Sequence, residues 1–226
     1  MSETTSRIEP LEDKQTEFPV VDSLEVFRGK VFSMLTERVR YGDGVAMRDF
    51  VKHPGAVAIV PLREGSASAS GEPEVLLINQ YRHPVGATLW EIPAGLLDIA
   101  GEDPLRAAQR ELEEEADLHA ARWDVLVDYF TTPGGSSEAL RVFLARDLTL
   151  IPAVERSFQR EAEEAFMTRR WVELREAVAA IFAGQIHNPS AVVGILATAL
   201  ALGLPGVSPV SLRSASAPWF RKTSSD

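Results

Sequence analysis

The sequence predicts an α/β fold in which helices pack on a mixed sheet. Three observations carry that expectation: a continuously apolar run from Ala56 to Leu62, strand-like segments on both sides of one well-signalled helix, and two more helical segments near the chain end. From Val20 to Val45, β-branched and aromatic residues mix with charges around Gly29 and the turn Tyr41-Gly42-Asp43-Gly44. This predicts two or three strands in an extended N-terminal sheet. Ala56 to Leu62 lacks alternation and so fits a strand covered on both faces. Glu74 to Tyr81 reads the same way, and the Ser, Ala and Gly loop between them, Gly65 to Pro73, makes the two a hairpin. Trp90-Glu91-Ile92 is a further short strand, stopped by Pro93 and Gly95.

The central helix carries its own boundary signals. Asp103 is placed as an N-cap, Pro104 stands at the first helical position, and Leu105 to Glu115 is free of β-branched residues. Strands return at Val125 to Phe130 and Leu140 to Ala145, separated by the turn-rich Thr131 to Ser137. Glu173 to Phe182 and Ser190 to Leu202 read as helices, the first ending at Gly184 and the second following Asn188-Pro189. The expected organisation is a flexible arm over 1–18, an N-terminal β region over 19–50, the main domain over 51–206, and a flexible Ser-rich tail over 207–226.

Composition excludes several classes. A chain of 226 residues, 45% hydrophobic and 25% charged, can bury a core, so wholesale disorder is excluded. With no Cys, it has no disulfides, thiol catalysis or thiolate zinc site, which suits the reducing cytoplasm as the expected location. The net charge of −10 argues against partners such as nucleic acid or an anionic membrane. The most apolar stretch, Ala191 to Leu204, stops at Pro205, short of the roughly 20 residues a bilayer requires. A phosphate-bearing ligand would need the local sign of charge reversed.

Placed about 100° apart around a helix, Leu105, Ala108, Leu112 and Ala116 make an apolar stripe. Glu111, Glu114 and Glu115 fall together on the adjoining face. Neighbouring carboxylates repel one another, so two readings stand: a solvated acidic face, or a site for a divalent cation. Oxygen-only ligation favours hard ions such as Mg2+ or Mn2+. Residues 102–117 carry seven acidic and two basic residues, half the net charge of the chain.

The flanking pattern favours the second reading. Gly95, a loop, Glu102, seven residues and then Arg110-Glu111-Leu112-x-Glu114-Glu115 resembles the Nudix box. That resemblance implies an α/β/α sandwich with a mixed sheet and a hydrolase acting on nucleoside diphosphates linked to another moiety. Two departures are visible: the stretch Leu96 to Gly101 is one residue longer than the family's usual spacing, and Asp117 stands where the family has Gly. Asp tolerates a left-handed helix end better than most residues, and neither change removes a carboxylate. The resemblance makes Glu111 and Glu115 the central metal ligands, with Glu114 an additional one and the Ala94 carbonyl joining them. It makes Glu102 and Arg110 an orienting ion pair.

Three further features resemble the ADP-ribose pyrophosphatase branch of that family. Arg82, in Gln80-Tyr81-Arg82-His83, would reach substrate phosphates, while His83 is read as structural. Pro133, fifteen residues after Leu118, opens a loop in which Gly134, Ser136 and Glu138 are candidate substrate contacts. Glu163, with Glu164 next, would take the proton from the attacking water, and Glu115 also counts as catalytic through the metal. Relatives in the branch exchange an N-terminal sheet across a homodimer, with an aromatic stacked on adenine; Phe27, Phe32 and Phe50 are candidates.

The implied activity is Mg2+-dependent hydrolysis of ADP-ribose to AMP and ribose 5-phosphate. Rivals are a pyrophosphatase for another nucleoside diphosphate sugar or a dinucleotide, and a Nudix-fold module that senses a nucleotide without cleaving it.

Overall fold

In the computed structural model, which describes residues 11–65, 69–155, 167–203 and 210–221, backbone pairing separates the strands into two sheets. Val20–Arg28 (β1), Ser33–Tyr41 (β2) and Gly44–Lys52 (β3) form the N-terminal one, antiparallel throughout. The β2 to β3 turn places Gly42 at φ 59°, a conformation that costs glycine nothing. This sheet carries no buried residue, and Leu24, Val26, Phe27, Phe32, Met34 and Met47 are exposed on it or at its turn.

The second sheet has eight strands. Ala56–Arg63 (β4), Glu74–Arg82 (β5), Ala87–Glu91 (β6), Ala94–Leu96 (β7), Leu118–Phe130 (β8), Ala139–Leu150 (β9), Thr168–Glu173 (β10) and Arg213–Ser214 (β11) follow in chain order. Their spatial order is β10-β5-β4-β9-β8-β11, with β6 paired to β5 and β7 to β4. The β4 to β9 ladder is parallel and the others are antiparallel, so the sheet is mixed.

Pro104–Ala116 (α1) covers one face; Leu174–Phe182 (α2) and Pro189–Ala201 (α3) cover the other. The period of 2 along β4 divides its side chains between the two cores. Val57 and Ile59, with Phe143, pack among Ala107, Ala108 and Leu112 of α1. Ala58, Val60 and Leu62, with Val142 and Leu144, pack among Leu174, Ala191 and Ile195. Helix α3 comes so near the sheet that a Cβ on Gly194 would lie 2.9 Å from both Ile92 and Val60. The expected α/β/α sandwich is therefore observed, and no helix of the described residues is long and apolar enough to cross a membrane.

Two local expectations change. The hairpin expected from Ala56 to Tyr81 is confined to Leu62 with Val75 and Arg63 with Glu74. Most of β4 instead pairs with β9, from Ala56 to Pro61, and its first three residues also pair with β7, because a strand apolar on both faces gains most from the centre of the sheet.

The tail expected to be flexible over 207–226 is packed where it is described, from 210 to 221. Its anchor is Arg141, 3% exposed on β9. Arg141 donates to Asp128 at 2.8 and 2.9 Å, to the Ala217 carbonyl at 2.8 Å and to the Pro218 carbonyl at 3.0 Å. Its guanidinium lies 4.9 Å from the Trp219 ring centre, and that of Arg221 lies 4.5 Å from it. Arg221 in turn donates to the Pro54 carbonyl at 3.3 Å. A buried guanidinium needs acceptors, and the tail supplies them as backbone carbonyls, for which side-chain periodicity gives no signal. Residues 1–10 of the expected arm lie outside the described residues.

Arg141→Ala is expected to cost about 3 kcal/mol in urea unfolding, because the Ala217 and Pro218 carbonyls lose their buried donor and Asp128 keeps only Arg213. The same variant should expose Arg213 to trypsin while the rest of the domain resists. An unchanged unfolding midpoint would count against this anchor.

Candidate active site

Helix α1 begins and ends where local chemistry places it. The Asp103 carboxylate accepts the Leu105 amide at 2.9 Å, and Pro104 needs no amide partner at the first position. Asp117 closes the helix in the left-handed conformation, φ 57°, with its amide donating to Glu113 and Leu112 carbonyls. The expected substitute for glycine is thus in the expected conformation.

Gly95 lies on β7 opposite Val57. A Cβ built there would fall 2.0 Å from the Glu111 carboxyl group, so the absent side chain is what admits Glu111 to this position. One residue earlier, the Ala94 amide donates to Glu115 Oε2 at 2.8 Å. Glu115 is buried, and this contact satisfies one of its oxygens. Glu111, Glu115 and the Ala94-Gly95 backbone therefore meet at one place.

Arg110 collects the neighbouring carboxylates. It donates to Glu102 at 3.2 and 3.1 Å, to Glu111 at 2.5 Å and to Glu114 at 3.3 Å. The Glu102 hydrogen bond, then the Glu111 charge, hold its guanidinium well above the usual range against the opposing effect of burial. It remains a cation at any working pH. The Glu102 to Arg110 pair expected from the sequence is present and fastens the 96–102 loop to the helix.

Among the described residues, no three His, Asp or Glu side chains stand close enough to form a ready-made cation site. The donor set nevertheless fits one. Two carboxylates face a backbone corner cleared by Gly95, a third lies one turn along on the same helix, and all the donors are oxygens. Arg110 now neutralises two of these carboxylates, a role that a bound cation would take over.

The substrate-side residues are placed as follows. Arg82 is 41% exposed and donates through Nε and Nη2 to both oxygens of Glu91, at 2.9 and 2.7 Å. Glu91 is 2% exposed, so the fork is fixed from below by a buried carboxylate. Sequence reasoning read Glu91 only as part of a strand. The signal was a single charge between Trp90 and Ile92, whose partner is nine residues away. His83 contacts the Tyr81 hydroxyl at 3.2 Å, a local role consistent with the structural reading.

The 131–138 loop is docked on β3. The Val51 amide donates to the Gly135 carbonyl and the Ser137 amide to the Val51 carbonyl, both at 2.9 Å. Ser136 Oγ accepts the Glu138 amide at 3.1 Å, and Glu138 accepts the Thr131 hydroxyl at 2.6 Å, with His53 Nδ1 3.6 Å from its other oxygen. Gly134 has open space where a Cβ would stand. Pro133 lines a cavity of about 450 Å3 with Asp13, Asp128, Tyr129, Phe130 and Phe220. Among the described residues, none of these contacts joins the loop to Glu111 or Glu115. Glu163 and Glu164 lie outside the described residues. Phe27 and Phe32 are exposed with ring centres 6.3 Å apart, and Phe50 is partly buried on β3.

A family model described as the NUDIX domain matches residues 52–191, more than half of the chain. The chain belongs to the Nudix family. Similar relatives include an ADP-ribose pyrophosphatase of Mycobacterium tuberculosis (strain ATCC 25618 / H37Rv), 41% identical over 182 residues, covering 80% of this chain and 83% of that protein. An ADP-ribose pyrophosphatase of Bacillus subtilis (strain 168) is 32% identical over 177 residues, covering 77% and 89%. Among solved structures, one described as an ADP compounds hydrolase shares the Nudix fold with a TM-score of 0.59 at 18% identity, over 84% of this chain and 97% of that one.

Gly95→Ala should force Glu111 out of its place while leaving the fold intact, since the group displaced is the far end of a flexible side chain. Expected are a melting temperature within a few degrees of wild type and a fall of about tenfold or more in Mn2+ affinity by calorimetry. Wild-type affinity would remove the Gly95 corner from the site.

Proposed function

We propose that this chain hydrolyses the diphosphate of ADP-ribose, with Mg2+ or Mn2+ as cofactor, to give AMP and ribose 5-phosphate. The observation that carries this reading is the 41% identity, over four-fifths of the chain, to a protein named for that activity. Supporting it is the place where Glu111, Glu115 and the Ala94-Gly95 backbone meet.

In the proposed reaction, the water oxygen bonds to one phosphorus as the bridging P–O bond breaks, so that the water oxygen enters one product and the bridging oxygen leaves with the other phosphate. Glu111, Glu114, Glu115 and the Ala94 carbonyl would hold a divalent cation. When bound there, it supplies charge neutralisation on the diphosphate and polarises a phosphoryl oxygen. Arg110 keeps Glu102 and the loop in place while the carboxylates turn to their ligand. Arg82, oriented by Glu91, presents its exposed guanidinium to the negative charge that grows on the phosphates. Glu163 or Glu164 takes the proton from the attacking water. Gly134, Ser136 and Glu138, with Pro133, border the sugar side. Glu138 is already engaged with Thr131, so its role there depends on exchanging that partner.

The N-terminal sheet is proposed as a homodimer surface. Its apolar exposure over β1 to β3 and its lack of any buried residue are unusual for a surface left in water. Light scattering after gel filtration should give twice the 24.8 kDa chain mass. Leu24→Asp with Phe27→Asp should give the monomer mass.

With Mg2+, chromatography should show AMP and ribose 5-phosphate from ADP-ribose, and smaller amounts of product from other sugar nucleotides or NADH. Chelation with EDTA should remove the activity, and Glu115→Gln should lower kcat at least a thousandfold without unfolding the chain. Undiminished turnover in Glu115→Gln would sink the mechanism. Tight ADP-ribose binding by wild type without AMP release would favour a sensing module instead.

A further inference from the structure

Three residues, His53, Pro54 and Gly55, join the two sheets along the chain, between the end of β3 and the start of β4. Each of them engages a different part of the molecule. The His53 amide donates to the Ser137 hydroxyl at 3.0 Å, and His53 Nδ1 stands 3.6 Å from Glu138, so this residue meets the 131–138 loop. The Pro54 carbonyl accepts a hydrogen bond from Arg221 at 3.3 Å. The Gly55 carbonyl accepts, at 3.0 Å, the amide of Leu97, the first residue after β7. Gly55 has φ 95°, and a Cβ there would lie 3.0 Å from Arg221 Nη1 and 3.2 Å from the Ala139 carbonyl. The guanidinium thus stands closer to the junction than a side chain at 55 would readily allow.

Arg221 is itself held from two sides. Its carbonyl accepts Gln15 Nε2 at 3.1 Å, and its guanidinium lies over the Trp219 ring, which also receives that of Arg141. Burial, then the charge of Arg141, lower its pKa, so a cation is kept where its surroundings disfavour one. What it gains there is the Trp219 face and the Pro54 carbonyl.

We propose that Arg221 is a positioning residue: by fixing residues 53–55 it sets the 131–138 loop in register with the backbone corner at Gly95. The junction bonds the loop through His53, and through Gly55 it bonds Leu97, two residues beyond Gly95. A junction free to shift therefore moves the loop against the corner. Glu111 and Glu115 keep supports of their own in Arg110 and the Ala94 amide, so the corner persists when Arg221 is lost. The inference rests on the hydrolase reading, in which the loop borders the sugar side of the substrate. A loop out of register loses binding common to the ground state and the transition state, which raises KM and leaves kcat.

The test is Arg221→Ala in the full chain, with Arg221→Lys beside it. In Arg221→Ala, KM for ADP-ribose with Mg2+ should rise about tenfold, while kcat and Mn2+ affinity stay within about threefold of wild type. Arg221→Lys keeps a charged donor without the planar fork, and should recover part of the loss. Without any substrate, amide hydrogen exchange should quicken in Arg221→Ala at Leu97 and Ser137, whose amides bond Gly55 and Val51 and not Arg221. A role confined to packing the tail would quicken exchange over 213–219 alone. Wild-type KM in Arg221→Ala, no recovery in Arg221→Lys, Mn2+ affinity falling in step with the rise in KM, or exchange changed only in the tail would each overturn the proposal. If wild type releases no AMP, the hydrolase reading fails and exchange alone decides: faster exchange at both Leu97 and Ser137 upholds the role of Arg221 at the junction, and unchanged exchange at either rejects it.

Discussion

One guanidinium holds three carboxylates on a short length of chain. Arg110 contacts Glu102, Glu111 and Glu114, and without a cation at that point the acidic face of α1 would repel itself. With it, the 96–102 loop is drawn onto the helix, and Glu111 can sit against the backbone of Gly95. Glu115, one turn along, reaches the Ala94 amide from the same face. The concentration of negative charge that seemed to bar a diphosphate is thereby arranged as a set of oxygen donors aimed at one backbone corner.

That corner has its position because β7 pairs with β4, and β4 is central to the domain. It is apolar on both faces, lies between two cores, and carries the parallel ladder to β9. The close approach of α3 at Gly194 and the anchoring of the tail by Arg141 brace the sheet at other points. Both depend on the chain approaching closely or burying charge, and in each case a specific residue type makes the contact possible.

Legibility followed the range of the interaction. The cap of α1 was readable because Asp103 bonds the amide two residues away, and the start of α3 was placed after Asn188-Pro189, where Asn188 bonds the amide three residues on. The hairpin expected from β4 and β5 was overstated, since adjacency along the chain does not weigh a central position against an edge. Arg82 was visible as a candidate, whereas its orienting partner Glu91 required the fold of the intervening turn. The 131–138 loop was legible as a turn, but its docking on Val51 spans more than eighty residues and left no local trace.

By itself the sequence determined the acidic helix, its caps, the spacing of Glu102, Arg110 and the three glutamates, and the left-handed tolerance at Asp117. These rest on backbone bonds and side-chain phases within a turn or two, where separation in sequence is separation in space. Only the tertiary structure decided that Gly95 would receive Glu111, that Arg141 would bind the tail, and that Asp117 would join Ile151 and Arg169. Those contacts link residues from 16 to 77 positions apart. They form because buried charges and amides must find partners, and the sheet determines which partners lie within reach.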